Sequence, residues 1–388
     1  MRSVRYFIFP VMVVMMVMLS SCKKETGGPD INPPDTFSDV FELFWNNMNK
    51  RYVFWDIDKT DWQAMHARYA PLFASLDLYK KEDLRKSVGY FREMTAGLID
   101  GHYYITFQNA VLADSSINPS GDRKKAAPGY HSRFNYVPLV RTYLRSDYLE
   151  GRDYTTDPTR QIYALTGTIP GDILYFGCSN FFLYDSYHST KDNGVKLVLN
   201  NFFNKLQQLP AGIKGVIIDV RGNSGGDISD LNFLMGKLIA APLPFGYTRY
   251  KSGIGRLDYT PWVSSSVTPA EGSRGVGVPV IALADNFSAS LAETFTLAIR
   301  ELPQGRFIGE RTWGANGPYA FNELLYNAGP FKIAGFMSVQ TSSAAFKTLD
   351  GRITEGTGIT PDIAIPFNPI TLETGTDPAL QEAINKLK

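Results

Sequence analysis

The chain has 388 residues, 44% of them hydrophobic, which is enough for two compact domains with buried cores. Lysine and arginine together number 39, and aspartate and glutamate 38. A charge this close to balance excludes the strongly basic proteins that bind nucleic acids through the phosphate backbone. The only cysteines are Cys22 and Cys178, which excludes a disulfide-dense scaffold, so core packing must hold the fold together.

The first residues have the pattern of a signal peptide. Two arginines precede the apolar run Tyr6–Leu19, and two serines precede Cys22. This ending resembles a bacterial lipoprotein cleavage box, which predicts removal of residues 1–21 and a lipid on Cys22. The alternative is an N-terminal anchor helix, but such a helix needs about 20 apolar residues and the run is shorter.

Cleavage at this site changes the charge and exposes a tether. It removes two arginines and no acids, so the formal charge of +1 falls by 2 to −1. Residues 22–36 are polar and contain glycines and prolines, as expected of a tether between lipid and domain. We therefore expect a lipoprotein of the cell envelope, periplasmic or anchored in the outer membrane through Cys22.

Residues 37–108 predict a smaller N-terminal helical domain. Apolar side chains recur at spacings of three and four over Phe37–Met48, which is the period of an amphipathic helix. Two further helices fit Asp61–Phe73 and Glu82–Leu98. The alternation over Tyr103–Gln108 then predicts a strand.

The rest of the chain divides into three regions of different sequence pattern. Residues 109–168 are rich in Tyr, Thr, Asp and Pro, which predicts an irregular or β connecting region with candidate strands at Tyr136–Tyr143 and Gln161–Leu165. Over residues 169–370 apolar strands alternate with helices, which predicts an α/β domain with a parallel sheet and flanking helices. The predicted strands are Asp172–Cys178, Gly215–Val220, Val278–Ala284 and Phe307–Ile308, and the predicted helices are Val195–Leu209, Ile228–Ala240 and Leu291–Leu302. Residues 371–388 predict a C-terminal helical tail.

Two of these strands run into a turn and then a helix. The first, Gly215–Gly226, ends in a glycine-rich turn whose backbone N–H groups can converge on a phosphate or on the oxyanion of an acyl transfer. This turn lacks the lysine and the spacing of a phosphate loop. The second, Val278–Glu293, places Ser290 at the start of a helix. A serine there is either an N-cap or a nucleophile favoured by the positive end of the helix dipole.

Four motifs follow one another between residues 219 and 362. They are Asp219-x-Arg-Gly-Asn-x-Gly-Gly226, Ser290-x-x-Glu293, Thr312-Trp-Gly314 and Gly356-x-Gly-Ile-x-Pro-Asp362. The set resembles the tail-specific or C-terminal processing serine peptidases, whose relatives include the tricorn core protease and the interphotoreceptor retinoid-binding protein. The resemblance implies a ClpP/crotonase-like core and a hydrolase that cleaves peptide bonds with Ser290 as nucleophile. The Ser-x-x-Glu register favours Ser290 over Ser288.

The sequence departs from the lysine-dependent branch of that family. The general-base lysine of that branch stands 25 residues after the nucleophile, where this chain has Ala315. A serine without a base is a weak nucleophile. The tricorn-like branch uses a histidine in a motif ending Asp-Gly-His or Ser-His, which implies His102 as the base. Lys347 is an alternative that matches no position of the family.

The same branch implies the remaining groups of the site. A glutamate shortly before the Gly-Ile-x-Pro-Asp segment orients the histidine there, which implies Glu355 in that role, with Asp100 and Glu310 as alternatives. The implied oxyanion hole is made by the N–H groups of one of two glycines and of the residue after the nucleophile. These are Gly225 or Gly226, and Leu291.

The sequence thus predicts an extracytoplasmic, lipid-anchored serine peptidase that acts on peptides or proteins through a Ser-His-Glu triad. It implies no organic cofactor, and the His, Cys and carboxylate spacing of a zinc site is absent. No segment between His102 and Asp172 resembles a PDZ domain, so substrate choice falls to the helical domain and the connecting region. Two alternatives stay open. One is a binding protein of the same fold without the chemistry, which Ala315 favours, and the other is a crotonase-like acyl enzyme.

Overall fold

The computed structural model describes residues 33–154, 161–209, 212–319 and 327–388. The predicted signal peptide, the lipidation site Cys22 and most of the tether lie outside the described residues. Within the described ranges, no helix combines the length and the apolar character needed to span a membrane.

Helices and strands alternate along most of the described chain. The helices are α1 (Phe37–Arg51), α2 (Trp62–Ala74), α3 (Lys81–Thr95), α4 (Pro119–Ala126), α5 (Val137–Tyr143), α6 (Leu183–His188), α7 (Gly194–Gln207), α8 (Ser229–Leu238), α9 (Leu291–Arg300), α10 (Pro369–Glu373) and α11 (Pro378–Leu387), with a short 3₁₀ helix at Ala110–Leu112. The strands are β1 (Tyr104–Phe107), β2 (Ser116–Ile117), β3 (Leu149–Asp153), β4 (Ile162–Ile169), β5 (Ile173–Cys178), β6 (Gly215–Asp219), β7 (Leu243–Tyr250), β8 (Val263–Val267), β9 (Val280–Ala284), β10 (Gly305–Gly309), β11 (Phe331–Ile333), β12 (Met337–Gln340), β13 (Ala344–Thr348) and β14 (Ile363–Ala364).

A seven-stranded sheet forms the centre of the molecule, in the order β14-β10-β9-β6-β5-β4-β3. Strands β5, β6, β9, β10 and β14 are parallel, whereas β4 and β3 add antiparallel pairs at one edge. Every residue of β6 and β9 is buried, as expected of parallel strands covered on both faces. This confirms the predicted α/β class with a parallel sheet and flanking helices.

Helices cover both faces of this sheet and place the strand ends at one edge. Helices α7, α8 and α9 pack on one face around Phe176 and Phe295. Helices α5 and α11 cover the other face around Ile217 and Leu380. Because the parallel strands end at the same edge, the turns that follow β5, β6, β9 and β10 meet there.

The connecting region differs from its prediction in two places. Residues 137–143 form helix α5 where the sequence predicted a strand, because Val137, Val140 and Leu144 lie at helical spacing and pack on the sheet. Burial of that face outweighs the β preference of its valines and tyrosines. The predicted strand from residue 161 is confirmed but continues to Ile169 as β4, so the predicted domain boundary at 169 falls inside a strand of the central sheet.

The N-terminal helices pack on a second sheet that the sequence analysis did not anticipate. Its order is β11-β12-β1-β2, so two of its strands come from residues 331–340, far along the chain. Phe331, Phe336 and Met337 share one buried cluster with Phe37 of α1 and Phe91 of α3. The predicted helical domain 37–108 is therefore completed by a segment that the prediction had assigned to the catalytic domain.

A third, three-stranded sheet in the order β13-β7-β8 lies beside these two units. Strand β13 directly follows the residues that cross from β12, at Thr341, Ser342 and Ser343, all fully buried. This crossing carries the chain from the helical unit back toward the edge where the parallel strands end.

Candidate active site

The turn after β9 is held in place by Asp285 and Ser288. Asp285 Oδ1 accepts a hydrogen bond from the N–H of Gly222 (2.9 Å). The hydroxyl of Ser288 donates to the carbonyl of Val220 (2.7 Å) and accepts from the N–H of Asp285 (2.9 Å). Ser288 is fully buried, so it ties two strand ends together and is not presented to a substrate. This placement favours Ser290 over Ser288 as nucleophile.

Ser290 stands immediately before α9 in a strained backbone conformation. Its φ is 56° and its ψ is −123°, a combination that residues with a Cβ avoid at a cost of about 1–3 kcal/mol. The residue is half-buried, whereas its neighbour Leu291 is buried. A serine on a strained turn between a strand and a helix is an arrangement that exposes a nucleophilic hydroxyl.

Glu293 links the Ser290 turn to the turn at residues 312–315. One carboxylate oxygen accepts from the N–H groups of Ser290 (3.1 Å) and Ala315 (2.7 Å), and the other accepts from the hydroxyl of Thr312 (2.5 Å) and the N–H of Gly314 (2.8 Å). Burial raises the pKa of Glu293, and these hydrogen bonds act against that rise. The sequence analysis used Glu293 only to set the register of Ser290. The structure shows that its side chain joins two of the four motifs.

The glycine turn after β6 lies against Ser290. Gly225 has φ +94°, and a Cβ there would lie 2.7 Å from the Cβ of Ser290, so only glycine fits. The N–H of Gly225 donates to the side-chain oxygen of Asn223 (2.8 Å). Among the described residues, no hydrogen bond engages the N–H groups of Gly226 or Leu291. Of the predicted oxyanion donors, Gly225 is therefore already occupied, and Gly226 with Leu291 are the pair left free.

Arg221 anchors the glycine turn to the C-terminal helix. Its buried guanidinium contacts the carboxylates of Asp219 (2.6 Å) and Asp377 (2.8 Å) and lies 3.8 Å from the ring centre of Tyr136. Tyr175 donates a further hydrogen bond to Asp219 (3.0 Å). Through these contacts Asp219 and Arg221 hold the glycine turn in position.

His102 reaches the same edge from the N-terminal unit. A Cβ at the preceding Gly101 would lie 2.4 Å from the carbonyl oxygen of Gly314 and 2.6 Å from the Cβ of Ala315. Since Ala315 and Ser290 donate to the same oxygen of Glu293, the two segments meet across Ala315. The Asp-Gly-His turn thus occupies the space beside residue 315, and a lysine side chain there would have to displace it.

The surroundings of His102 favour a neutral imidazole. Burial lowers the pKa of His102 below its usual value, and the charge of Asp100 partly offsets this effect. Tyr319 packs edge-on against the ring at 4.5 Å between centroids, and Nδ1 lies 3.4 Å from the hydroxyl of Ser342. Among the described residues no hydrogen bond joins the side chains of His102 and Ser290. A neutral imidazole is the form that can accept a proton.

Glu355 lies beside His102 but does not bind its ring. One carboxylate oxygen accepts from the N–H of Gly101 (2.6 Å), and the other accepts from the N–H groups of Asn316 (2.8 Å) and Gly317 (2.7 Å). Burial, with the nearby charge of Asp100, raises the pKa of Glu355 well above its usual value. Among the described residues no hydrogen bond joins Glu355 to the imidazole, so the orienting role of Glu355 stays a prediction. Glu355 fixes the backbone of Gly101, the residue before the histidine.

Sequence profiles of two protein families match the chain. The profile of peptidase family S41 matches residues 186–365, and that of the tricorn protease C1 domain matches residues 33–78. Residues 186–365 of the chain, a little under half of its length, thus resemble peptidase family S41. This confirms the family that the four motifs predicted, and Ser290, Glu293, Glu355 and the glycine turn all lie within the matched segment.

Two curated relatives of the S41 segment are peptidases. The tricorn protease of Thermoplasma acidophilum is 29% identical over 191 residues, which are 49% of this chain and 15% of that protein. The carboxy-terminal processing protease CtpA of Bacillus subtilis is 29% identical over 152 residues, which are 39% of this chain and 28% of that protein. The matched part of the chain thus spans less than a third of the length of either relative.

One solved structure has the same fold over almost the whole chain. It is that of a candidate peptidase from Parabacteroides merdae, with a TM-score of 0.68, 23% identity, and coverage of 91% of this chain and 97% of that one. At this identity the likeness establishes the fold alone.

The other base and acid candidates of the S41 site lie elsewhere. The ammonium group of Lys347 lies over the rings of Trp262 (4.4 Å) and Tyr247 (5.3 Å) in the three-stranded sheet. Glu310 pairs with His131 (3.0 Å). Two histidines that the sequence did not single out also have partners, since His66 pairs with Glu42 and His188 contacts the carbonyl of Tyr184. Cys178 is buried in β5, where burial raises its pKa, as expected of a core side chain.

Asp100, His102 and Glu355 form a cluster whose ligand atoms all lie within 4.8 Å of one another. The carboxylate of Asp100 accepts from the hydroxyl groups of Thr341 and Ser342 and from two backbone N–H groups. The oxygens of Glu355 accept three backbone N–H groups. Because each of the four carboxylate oxygens already accepts at least one hydrogen bond from the protein, the cluster fits a hydrogen-bonded network better than a metal site.

A cavity of about 380 Å³ opens beside the glycine turn, between α5 and the central sheet. Val140, Leu165, Tyr163 and Tyr175 form much of its wall, and Gly222 lies at its border. The cavity is within the size range of ligand-binding pockets. Part of its wall comes from residues 133–140, so the connecting region contributes aromatic and apolar side chains next to the glycine turn.

Proposed function

We propose that the chain is a serine peptidase that cleaves peptide bonds with Ser290 as nucleophile and His102 as general base. The observation that carries the proposal is the strained, half-buried Ser290 beside the N–H groups of Gly226 and Leu291, which no other described residue engages in a hydrogen bond. Free N–H groups beside a nucleophile are what an oxyanion requires. The resemblance to peptidase family S41 supports the same activity.

The proposed reaction begins with attack of the Ser290 hydroxyl oxygen on the peptide carbonyl carbon. The hydroxyl proton passes to Nε2 of His102, and the carbonyl oxygen becomes an oxyanion beside the N–H groups of Gly226 and Leu291. Collapse of this intermediate breaks the C–N bond, and the imidazolium of His102 gives its proton to the leaving amine. Water then hydrolyses the acyl-enzyme with His102 again as base.

In the proposed reaction the hydrogen bond between Ser290 and His102 forms when substrate binds. No hydrogen bond joins the ring of His102 to Ser290 among the described residues, and catalytic hydrogen bonds are often long without a substrate. The role proposed for Glu355 is to hold Gly101, and hence the backbone of the Asp-Gly-His turn, against Ala315.

Labelling with a fluorophosphonate probe tests the nucleophile and the base. We expect the unmodified chain and Ser288→Ala, if folded, to be labelled. Ser290→Ala should lose labelling, and His102→Ala should be labelled at least about 100-fold more slowly, because general bases contribute about 10²–10⁴ in rate. Labelling that survives Ser290→Ala but disappears in a folded Ser288→Ala would overturn the assignment of the nucleophile.

A binding protein of the same fold is the second candidate. It is favoured by the cavity of about 380 Å³ beside the glycine turn and by the absence of a Ser290–His102 hydrogen bond among the described residues. Failure of the folded, unmodified chain to react with the probe would favour binding over catalysis. Cleavage of peptides that is abolished by Ser290→Ala would favour the peptidase.

We further propose that the protein is exported and held at a membrane by a lipid on Cys22. The support is the sequence of residues 1–22, with two arginines, a short apolar run and a Ser-Ser-Cys ending. In a bacterial host fed radiolabelled palmitate, the full chain should incorporate label and sediment with membranes, whereas Cys22→Ala should not incorporate label. Equal incorporation in both would exclude Cys22 as the lipidation site.

A further inference from the structure

The region behind His102 contains a buried hydroxyl that the sequence analysis did not identify. Ser342 lies in the crossing between β12 and β13, and its side chain is fully buried. Its Oγ lies 3.4 Å from Nδ1 of His102 and 2.9 Å from Oδ1 of Asp100. Asp100 is also fully buried. Ser342 therefore links the side chains of Asp100 and His102.

The direction of these hydrogen bonds follows from the number of protons available. A serine hydroxyl has one proton to donate, and a carboxylate only accepts. The Ser342 proton therefore goes to the Asp100 carboxylate, since a hydrogen bond to an ionised acceptor is stronger than one to the carbonyl of Gly317 at 3.2 Å. The Ser342 oxygen is then left as an acceptor for an N–H at Nδ1 of His102.

This arrangement selects one tautomer of the imidazole. With the proton on Nδ1, the lone pair of a neutral His102 is on Nε2, which is the nitrogen that a general base presents to a serine. Among the described residues Glu355 makes no hydrogen bond with the imidazole, and its oxygens accept the N–H groups of Gly101, Asn316 and Gly317 instead.

We propose that Ser342 and Asp100 are the positioning residues of His102, with Ser342 relaying the carboxylate of Asp100 to Nδ1. The proposal rests on the proposed function, in which His102 is the base. In this proposal Asp100, two residues before the histidine, takes the role that the family resemblance implied for Glu355. Ser342, 240 residues after the histidine, makes the connection. When His102 accepts a proton, the Asp100 charge stabilises the imidazolium through Ser342.

The neighbouring Thr341 supplies a matched control. Its hydroxyl donates to the other oxygen of Asp100 (2.7 Å) but makes no hydrogen bond with His102 among the described residues. Thr341→Ala and Ser342→Ala therefore each remove one buried hydroxyl and one hydrogen bond to Asp100. Only Ser342→Ala breaks the link to the imidazole.

The first measurement is the protonation of the histidine ring nitrogens by ¹⁵N NMR, with His102→Ala used for assignment among the four histidines. In the unmodified chain and in Thr341→Ala we expect neutral His102 to carry its proton on Nδ1. In Ser342→Ala the proton should shift toward Nε2. An unchanged tautomer in Ser342→Ala, or the same change in both variants, would overturn the proposal.

The second measurement is the pH dependence of fluorophosphonate labelling. We expect Ser342→Ala to react at least about tenfold more slowly, because the wrong tautomer removes much of the general-base contribution. Its acid limb should also move to lower pH, because the imidazolium loses the Asp100 charge. Thr341→Ala should stay within about threefold of the unmodified rate. If the unmodified chain does not label at all, the proposed function fails, and the NMR measurement still decides whether Ser342 sets the tautomer.

Discussion

At the scale of single residues, the turn at Ser290 combines backbone strain with hydrogen bonds to the carboxylate of Glu293. Ser290 keeps a positive φ because Glu293 accepts its N–H and the N–H of Ala315. Gly225 packs against the Cβ of Ser290 so closely that no residue larger than glycine fits at position 225. The strain is therefore imposed by the neighbours and is separable from the chemistry of the hydroxyl.

Replacing Ser290 by glycine should relieve this strain. We expect Ser290→Gly to have a free energy of unfolding about 1 kcal/mol higher than Ser290→Ala, since glycine adopts positive φ without a steric cost. Urea denaturation of the two variants measures the difference. The control is Ala289→Gly at a neighbouring position of ordinary φ, which should be destabilising because glycine there only adds entropy to the unfolded chain.

Residue 315 should not accept a lysine. Ala315 is 2% exposed and faces Gly101, so Ala315→Lys buries a charge and pushes the Asp-Gly-His turn away. We expect a loss of about 2 kcal/mol or more in the free energy of unfolding, together with slower probe labelling. Ala113→Lys, at an exposed alanine, should change stability by less than about 0.5 kcal/mol. Stability of Ala315→Lys equal to that of the unmodified chain would contradict the packing described for this turn.

The pKa of His102 predicts how activity responds to acid. Burial lowers this pKa, so the imidazole stays neutral and able to accept a proton at a lower pH than a free histidine does. The rate of probe labelling should therefore fall on acidification with a midpoint below 6.5, the usual value for histidine. A midpoint above 6.5 would mean that the charge of Asp100 outweighs burial or that another group is the base.

At the scale of secondary structure elements, the helical unit depends on strands from the distant segment 331–340. Phe336 lies between β11 and β12 and packs at 5.7 Å from Phe37, 6.0 Å from Phe107 and 6.3 Å from Phe91, between ring centroids. The same segment leads through Thr341 and Ser342 to the hydrogen bonds with Asp100. The N-terminal unit, whose Asp-Gly-His turn carries His102, is thus connected to the crossing that contacts the imidazole ring.

Removal of the Phe336 ring should loosen this unit first. We expect Phe336→Ala to lower the free energy of unfolding by about 3–5 kcal/mol, the usual cost of a large cavity in a core. Tryptophan fluorescence during urea unfolding is a suitable measurement, since Trp45, Trp55 and Trp62 lie in or beside this core. Lys332→Ala, on the same hairpin but exposed, should stay within about 0.5 kcal/mol.

At the scale of the whole molecule, the C-terminal helix and the glycine turn are joined by one buried ion pair. Asp377 caps α11 through the N–H of Leu380 (3.1 Å) and contacts Arg221 (2.8 Å). Arg221 in turn holds Asp219 and lies over Tyr136 of the connecting region. Helix α11 and the glycine turn are therefore linked through the buried side chain of Arg221.

Breaking this pair should affect both stability and reactivity. We expect Asp377→Ala to cost about 3–5 kcal/mol in the free energy of unfolding, because it removes a helix cap and one partner of a buried charge. Probe labelling should slow as well if the glycine turn loosens. Glu382→Ala, which breaks the exposed pair with Lys386 in the same helix, should cost less than about 1 kcal/mol. An equal loss in both variants would show that the contact with Arg221 adds nothing.

The family and the parallel sheet could be predicted from sequence because their signals are local. The Ser-x-x-Glu register, the glycine turn and the alternation of buried strands with helices each lie within a continuous stretch of chain. The packing of Ser288 into the core agrees with the register chosen from the motif. Glu293 also carried a readable signal, since its spacing from Ser290 places its carboxylate at the N-cap of its own helix.

The tertiary structure decided everything that depends on contacts between distant segments. It showed that Asn223 accepts the N–H of Gly225, that both carboxylate oxygens of Glu355 accept backbone N–H groups, and that Ser342 lies between His102 and Asp100. The packing of strands β11 and β12 on the N-terminal helices also depends on contacts between segments far apart in the sequence. The pairing of a donor with an acceptor 240 residues away is decided by tertiary packing, so no local sequence pattern predicts it.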